Sequence, residues 1–243
     1  MENVTLFFWA REVKNTFSNG AKIHFHSDRS VSYANLLMPP GQAIHQWDSF
    51  GQLVSLPLLD ARTRYHFILA GVTAPDKMFT QVEYFDRAEQ VIGKDVFDGI
   101  EGDIQLPEGA INYRLSLMNI RQTGTEFQYG LLSSAPLISK MAVSVNLQAG
   151  MMNVNLDQKA TTQDLVIIAN RFGAVSVPVA MDRSTVVLFA APTQGQLKQL
   201  QVKLQPDIPI RMRVLGTGLV AWGNTVHQSL QSQFTFLDSE VAE

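Results

Sequence analysis

The stretch LLMPPGQAIHQWDSF, residues 36–50, contains the residues of this sequence best suited to binding chemistry. A tryptophan ring can stack on a sugar ring, while an imidazole and a carboxylate hydrogen-bond its hydroxyl groups. The candidate binding residues on this interpretation are Met38, Pro39, Pro40, His45, Trp47 and Asp48, with Tyr84 as a neighbouring aromatic. In the alternative interpretation the prolines fix a corner, Gly41 permits a positive φ, and Trp47 closes the end of a sheet or contacts a partner protein. We favour the structural or interface role, because large aromatic side chains dominate protein cores and interfaces.

Histidines are the candidate metal ligands. His24 and His26 form an H-x-H pair, which places both imidazoles on one face of a strand, and His45 or His66 could join them. The spacing fixes no third ligand. We therefore predict surface or cross-strand histidines and no metal site.

The run KDVFDGIEGD, residues 94–103, is the most acidic segment of the first half. Carboxylates of this kind can ligate calcium, but the specific D-x-[DN]-x-[DN]-G arrangement is absent. We predict that Asp95, Asp98, Glu101 and Asp103 form a solvated acidic loop.

Motifs that would indicate an enzyme are missing from the sequence. It contains no G-x-S-x-G elbow, no G-x-x-x-x-G-K-[ST] phosphate loop and no cysteine. Glu83 and Asp86 would need a set separation for glycoside hydrolysis, which a sequence does not reveal. The second half offers only Asp157, Asn170 and Asp182 as scattered polar candidates. We predict no catalytic residues and no cofactor.

Short strands separated by turn residues must position the candidate residues of the first half. The predicted strands are TLFFWA, AKIHFH, SVSYANL, RYHFILAGV, TQVEYFD, QVIGKDVF, GDIQL, INYRLSLMN and EFQYGLL. Within INYRLSLMN, apolar and polar residues alternate, and the apolar ones are expected to point inward: Ile111, Tyr113, Leu115 and Leu117. This spacing predicts two packed antiparallel sheets over residues 1–133, a β-sandwich or jelly roll.

The pattern changes at Ser133-Ser134-Ala135-Pro136, and we place a domain boundary between residues 133 and 134. Residues 134–243 are predicted to form an α+β domain. Its predicted elements are a strand at 152–156, a helix capped by Thr161 or Thr162 and including Leu165, Ile168, Ala169 and Phe172, the strands SVPVAM and TVVLFAA, a helix with Leu197, Leu200 and Leu204 that ends before Pro206, and a strand at 208–214. The order β-α-β-β-α-β is that of the ferredoxin-like split βαβ unit.

The composition narrows the classes of partner. The 243 residues carry a formal net charge of -3, and 17% of them are charged. No basic patch indicates nucleic acid or an anionic membrane, and no apolar run is long enough for direct membrane insertion. A weakly charged surface is poorly protected against association, so we expect a permanent protein partner. The lack of cysteine suits a reducing cytoplasm.

The phrases LLMPPGQAIHQW, LPLLDARTRYHF and VEYFDRAEQVI together resemble one known family. The residues concerned are Asn35, Leu37, Met38, Pro39, Pro40, Gly41, Ile44, His45 and Trp47, the run Leu56 to Leu59, and Phe85-Asp86-Arg87. With LPEGAINYRLSLMNI they cover roughly the first 132 residues, a full domain by size. The sequence is similar there to the third accessory secretory protein of the accessory Sec export system of Gram-positive bacteria.

The resemblance implies a non-enzymatic cytoplasmic protein with a carbohydrate-binding-module-like fold. It further implies a complex with two sister accessory secretory proteins, cooperation with the accessory SecA motor at the membrane translocase, and serine-rich repeat glycoprotein adhesin as cargo, recognised through its peptide or its glycans. Residues 134–243 exceed the length of the family domain.

Two functions follow as hypotheses. The first is a scaffold and cargo-handling subunit of an export complex, and the second is a free-standing carbohydrate-binding module. An enzyme in the second half is the weakest hypothesis, since its polar residues are scattered.

Overall fold

A computed structural model gives the conformation of most of the chain. It describes residues 2–8, 22–25, 31–34, 41, 43–51, 56–73, 78–120, 124–156, 160–169, 173–216, 218–237 and 240–242. The chain divides into two compact units. The first consists of Val4–Ala135 with Phe172–Ser176, and the second of Met1–Asn3, Pro136–Arg171 and Val177–Glu243.

Strands account for nearly all regular structure in the first part of the chain. They are β1 (Glu2–Phe7), β2 (Lys22–Phe25), β3 (Val31–Ala34), β4 (Ala43–Asp48), β5 (Tyr65–Ala70), β6 (Met78–Phe85), β7 (Val91–Asp98), β8 (Glu101–Ile104), β9 (Asn112–Asn119), β10 (Gly124–Phe127) and β11 (Tyr129–Ser134). Sheet I has the order β15-β1-β11-β5-β8, where β15 is Ala174–Val179. Sheet II has the order β4-β9-β6-β7, and sheet III the order β10-β3-β2. The pairings of β6 and β9 with their neighbours, and of β11 with β1 and β5, are antiparallel.

Sheets I and II enclose one hydrophobic core, so the predicted mainly β, sandwich-like fold is confirmed. Sheet I contributes Phe7, Phe67, Leu69, Ile104 and Leu132 to this core. Sheet II contributes Ile44, Trp47, Val82, Tyr84, Tyr113, Leu115 and Leu117. The alternation predicted for Tyr113, Leu115 and Leu117 is therefore present, because successive side chains of a strand point to opposite faces. The inward orientation predicted for Ile111 is wrong: this residue precedes β9, and its side chain is 44% exposed.

Strand β4 is not among the predicted strands, since the stretch around it was interpreted as a corner. Its pairing with β9 shifts register between Ala43 and His45. The irregularity leaves both Ile44 and His45 buried, and Trp47 after them. A bulge of this kind interrupts the period of two, which is why alternation did not reveal the strand.

The second part of the chain contains a mixed sheet and helices. Its elements are α1 (Ala135–Ile138), β12 (Met141–Asn146), β13 (Met151–Leu156), β14 (Gln163–Ile168), β15, β16 (Ser184–Leu188), α2 (Gln194–Lys203), β17 (Ile210–Leu215), α3 (Val220–Leu230) and β18 (Glu240–Ala242). Sheet IV has the order β12-β13-β16-β14-β17-β18. Leu200 and Leu204 of α2 and Val226 and Leu230 of α3 share its core with Leu165. No helix in the described ranges is long and apolar enough to cross a membrane.

The predicted helix at 161–172 is wrong, because its central residues form β14. Residues 163–167 are all buried, and β14 pairs in parallel with β16 and β17. A parallel strand buried on both faces has a continuous apolar run, in which residues such as Leu165 and Ile168 match helical spacing by chance. The ferredoxin-like order is therefore not confirmed. The predicted helix over Leu197, Leu200 and Leu204 and the strand ending near Val214 are confirmed as α2 and β17.

Candidate functional site

The outer face of sheet II carries a row of charges whose sign alternates from strand to strand. Asp48 of β4 lies opposite Arg114 of β9, Arg114 opposite Glu83 of β6, and Glu83 opposite Lys94 of β7. Cross-strand neighbours lie roughly 5 Å apart at Cβ, close enough for opposite charges to attract. The row therefore ties the strands together and leaves a patterned polar surface.

Arg114 is the centre of this row. Its Nε donates to Asp48 Oδ1 at 2.6 Å, and its Nη1 lies 3.9 Å from Glu83 Oε2. The guanidinium carbon is 5.7 Å from the centroid of Phe50 and 5.3 Å from that of Phe85. Both distances lie within the roughly 6 Å range of cation–π attraction. The Asp48 and Arg114 side chains are each 28% exposed, so the pair can be reached from solvent.

An uncharged row lies beside the charged one. Gln46, Ser116, Gln81 and Val96 follow one another across the same strands. The amide of Gln46 donates to Ser116 Oγ at 3.3 Å. We call the group Gln46, Asp48, Gln81, Glu83, Arg114 and Ser116 the polar face; Gln81 and Ser116 are buried within it, and the other four are partly exposed. The partly exposed amide of Gln46, carboxylate of Asp48 and guanidinium of Arg114 suit hydrogen bonding to sugar hydroxyls or to peptide groups.

Trp47 lies in the core and not on the polar face. Its side chain is 1% exposed, and its rings contact Phe7 and Phe127 at centroid distances of 5.3 and 5.1 Å. The indole Nε1 donates to the carbonyl of Phe8 at 3.1 Å. Because alternate residues face opposite sides of a strand, Gln46 and Asp48 point outward while Trp47 points inward. The ring thus presents no face on which a sugar could stack.

His45 and Tyr84 are also buried. The His45 ring meets Trp47 edge-on at 4.3 Å, and burial lowers its pKa well below the ordinary value, so the imidazole is neutral. The Tyr84 hydroxyl donates to Asp95 Oδ2 at 2.6 Å, and burial, followed by Asp95, raises its pKa. Of the predicted binding residues that the structure describes, Asp48 alone belongs to the polar face. Met38, Pro39 and Pro40 lie outside the described residues.

The acidic segment is partly paired. Asp103 accepts from His66 Nδ1 at 2.7 Å and from Arg64 Nη2 at 2.9 Å, in addition to the Tyr84–Asp95 contact. The segment consists of the end of β7 in sheet II, a short connection and β8 in sheet I, and it is not a loop of free carboxylates.

The structure describes only part of the metal and second-half candidates. Within the described ranges no group of three or more metal-ligating side chains occurs. The side chain of His24 and all of His26, Asp157 and Asn170 lie outside the described residues. Asp182 is exposed and pairs with Arg183 Nε at 3.0 Å.

Sequence reasoning missed Arg114, Gln46, Gln81 and Ser116. Their signal is the polar half of each alternating strand, Gln81 and Glu83 in β6 and Arg114 and Ser116 in β9. That signal shows which residues point outward but not which strands are neighbours, because pairing order depends on the whole fold.

The first unit is a β-sandwich in which the outer side of sheet II carries the polar face. Residues 16–133 match the family model for the third accessory protein of the accessory Sec secretory system. The resemblance predicted from LLMPPGQAIHQW is thus confirmed: residues 16–133 are similar to the third accessory secretory proteins.

Two curated relatives are third accessory proteins of the accessory Sec system. The Streptococcus gordonii protein is 29% identical over 119 residues, which are 46% of this chain and 75% of the relative. The Staphylococcus aureus protein is 27% identical over 128 residues, which are 49% of this chain and 40% of the relative. The match thus spans less than half of the staphylococcal protein.

Solved structures extend the comparison of fold. A chain of the glycosylation-associated protein Gap123 complex of Streptococcus agalactiae aligns with a TM-score of 0.52 and 17% identity, over 96% of this chain and 77% of that chain. A chain from the Streptococcus pneumoniae structure of accessory secretory proteins 1, 2 and 3 aligns with a TM-score of 0.49 and 24% identity, over 53% of this chain and 94% of that one. The first alignment reaches beyond residues 16–133, so the fold of the second part of the chain has a counterpart as well.

Proposed function

We propose that this protein is a non-enzymatic scaffold subunit of an accessory Sec export complex. In this role it binds two sister accessory secretory proteins, cooperates with the accessory SecA motor and presents serine-rich repeat adhesin cargo for export. The match of residues 16–133 to the family model carries the proposal, since it covers the part of the chain that forms the sandwich. The subunit acts in the cytoplasm and reaches the membrane translocase through its partners.

An exposed apolar patch supports binding to another protein. Val91 and Ile111 are 54% and 44% exposed. They flank Phe85, which lies opposite Val91 in the ladder and accepts from the Ile111 amide at 2.9 Å. We call Val91, Ile92 and Ile111 the apolar patch. Exposed apolar patches on soluble proteins mark protein interaction sites.

Co-expression with the two sister proteins tests the proposal. The intact chain is expected to co-purify with them, and the double variant Val91→Asp, Ile111→Asp to be lost from the complex, because a carboxylate in an apolar interface is desolvated without a partner. Val202→Asp is the matched control, since Val202 is an exposed valine of α2. An intact chain that remains a soluble monomer in the presence of both sister proteins would contradict the proposal.

A free-standing carbohydrate-binding module is the second candidate, and the polar face is the observation that favours it. A glycan array probed with the intact chain and with Arg114→Gln separates the two functions. Glycan binding that is lost in Arg114→Gln, while the circular dichroism spectrum is kept, would promote this candidate. Binding of no glycan by the intact chain would remove it.

A further inference from the structure

Strand β12 is an edge of sheet IV that lacks the usual protection against pairing with another strand. Natural edge strands are blocked by charges, prolines or bulges. The other described edge strands carry such features. Strand β15 contains Pro178, and the pairing of β4 shifts register. The remaining edge strands contain charged residues: Lys22 in β2, Lys94, Asp95 and Asp98 in β7, Glu101 and Asp103 in β8, Glu126 in β10 and Glu240 in β18. The sequence of β12, MAVSVN, has none of them, and its pairing with β13 is regular over all six residues.

The hydrogen-bond pattern of sheet IV shows which main-chain groups of β12 point away from the sheet. The amide of Phe189 donates to the carbonyl of Gly150 at 2.8 Å, and these residues continue the register in which Met151 lies opposite Leu188. Alternate residues of an antiparallel strand bond to the same neighbour. Met151 and Asn153 therefore direct their main-chain groups to β12.

The same alternation then runs along β12. Asn146 and Ser144, opposite Met151 and Asn153, bond inward to β13. Val143 and Val145 direct their N–H and C=O groups outward, where the described residues provide no main-chain partner. The edge is thus a template of free donors and acceptors at alternate residues.

A recess opens beside this edge, between β12, β13 and α2. Its volume is about 170 Å³, and it is lined by Ser144, Val145, Asn146, Met151, Met152, Asn153, Val186, Gln199 and Lys203. Small-molecule sites usually measure roughly 300–1,000 Å³. The recess is thus better matched to one or two side chains of a bound peptide than to a separate ligand.

Hydrogen-bonding capacity in the recess is unused. The Oδ1 atom of Asn153 is buried and makes no hydrogen bond. At the rim, the Asn146 amide donates to Gln199 Oε1 at 3.3 Å, which fixes the recess between strand and helix. A hydroxyl group fits beside Asn153 whichever way its amide is turned, since a hydroxyl both donates and accepts.

We propose that β12 binds an extended peptide as an added strand, with serine or threonine side chains entering the recess. An added strand gains affinity from main-chain bonds and specificity from alternate side chains. On the recess side β12 presents Ala142, Ser144 and Asn146, and on the other side partly buried Met141, Val143 and Val145. The bound peptide accordingly alternates hydroxylated residues with small apolar ones. The inference deepens the proposed function and rests on it for one point, that the natural occupant is export cargo.

Binding of a synthetic peptide to the intact chain tests the inference. The probe has about ten residues in which serine or threonine alternates with alanine or valine, the length of a typical strand. We expect Val143→Pro to raise the dissociation constant of the probe peptide about tenfold or more. Proline removes the outward N–H, and its ring fills the space of the added strand. Val143→Thr keeps the N–H and is expected to bind as the unchanged chain does.

The side-chain part of the inference has its own matched pair. Asn153→Ala is expected to weaken binding about fivefold, the effect of one lost hydrogen bond. Asn155→Ala, on the same strand but outside the recess lining, is expected to have no effect. Equal losses in both variants would overturn the role of the recess.

A peptide-side measurement covers the case in which Val143→Pro fails to fold. The probe N-methylated at alternate residues cannot bond to the edge and is expected to lose binding, while the unmodified probe slows amide exchange at Val143 and Val145. Unchanged exchange at these amides, equal binding of the methylated probe, or pairing of β12 with a second copy of itself would overturn the inference. If the chain binds the peptide at β12 but neither sister protein, the proposed function is contradicted and the inference stands. If the complex forms but the peptide does not bind, the inference is contradicted and the proposed function stands.

Discussion

At the scale of single residues, the burial of Trp47 distinguishes a structural role of the LLMPPGQAIHQWDSF stretch from a sugar-binding role. A ring that is buried among Phe7 and Phe127 and bonded through its N–H is a structural anchor of the sandwich. A surface ring for sugar stacking would contribute little to stability. The two roles thus predict different costs of truncation.

Trp47→Ala is expected to lower the free energy of unfolding by about 3–5 kcal/mol, the range for loss of a buried large aromatic side chain. Urea unfolding followed by circular dichroism measures it. Trp222→Ala is the comparison, since Trp222 is only partly buried beside the second core, and a smaller loss is expected. A loss below about 0.5 kcal/mol for Trp47→Ala, typical of surface positions, would contradict the anchor role.

His45 makes stability depend on pH. Burial lowers the pKa of the folded imidazole below the 6.5 of an exposed histidine, so the unfolded chain binds the proton first as pH falls. The free energy of unfolding is therefore expected to fall below about pH 6.5, with a limiting slope of about 1.4 kcal/mol per pH unit. His45→Leu is expected to remove this part of the slope. Titration of the His45 ring near pH 6.5 in the folded protein, observed by NMR, would contradict the prediction.

At the scale of elements, the sequence predicted regular alternation well and irregularity poorly. Strand β9 was predictable because Tyr113, Leu115 and Leu117 keep a period of two. The bulge of β4 breaks that period, and the doubly buried β14 has no period, so neither could be predicted from pattern alone. The polar face was accessible only as outward residues, since Asp48, Glu83 and Arg114 meet through pairings distant in sequence.

Helix α2 was predictable because Leu197, Leu200 and Leu204 recur at helical spacing before Pro206. The structure adds a capping box at its start. The Gln196 amide donates to Thr193 Oγ1 at 3.3 Å, and the Thr193 amide donates to Gln196 Oε1 at 2.8 Å, which together form a capping box. We expect Thr193→Ala to cost about 1 kcal/mol of stability in the second unit. Thr225→Ala on the exposed side of α3 is the control and is expected to be near neutral, since alanine has the higher helix propensity. Equal effects of the two substitutions in thermal unfolding would contradict the capping role.

At the scale of the whole molecule, the division into units does not follow chain order. Residues 172–176 follow β12, β13 and β14 in the chain yet belong to the first unit. The Phe8 amide donates to the Gly173 carbonyl at 2.6 Å, and the hydroxyls of Thr5 and Ser176 lie 3.0 Å apart. The boundary predicted between residues 133 and 134 rests on a change in composition, which carries no information about a strand such as β15 that returns from later in the chain.

Truncation after Ala135 tests how far the first unit depends on that strand. The fragment 1–135 lacks β15, which leaves β1 as the edge of sheet I. We expect faster amide exchange in β1 and a lower midpoint of thermal unfolding than for the same sheet in the intact chain, because the bonds to β15 are lost and an unprotected edge is created. A peptide of residues 172–179 added in trans is expected to restore part of the exchange protection, while a scrambled peptide does not. Identical exchange of the β1 amides in the fragment and the intact chain would show that residues 1–135 fold independently of β15.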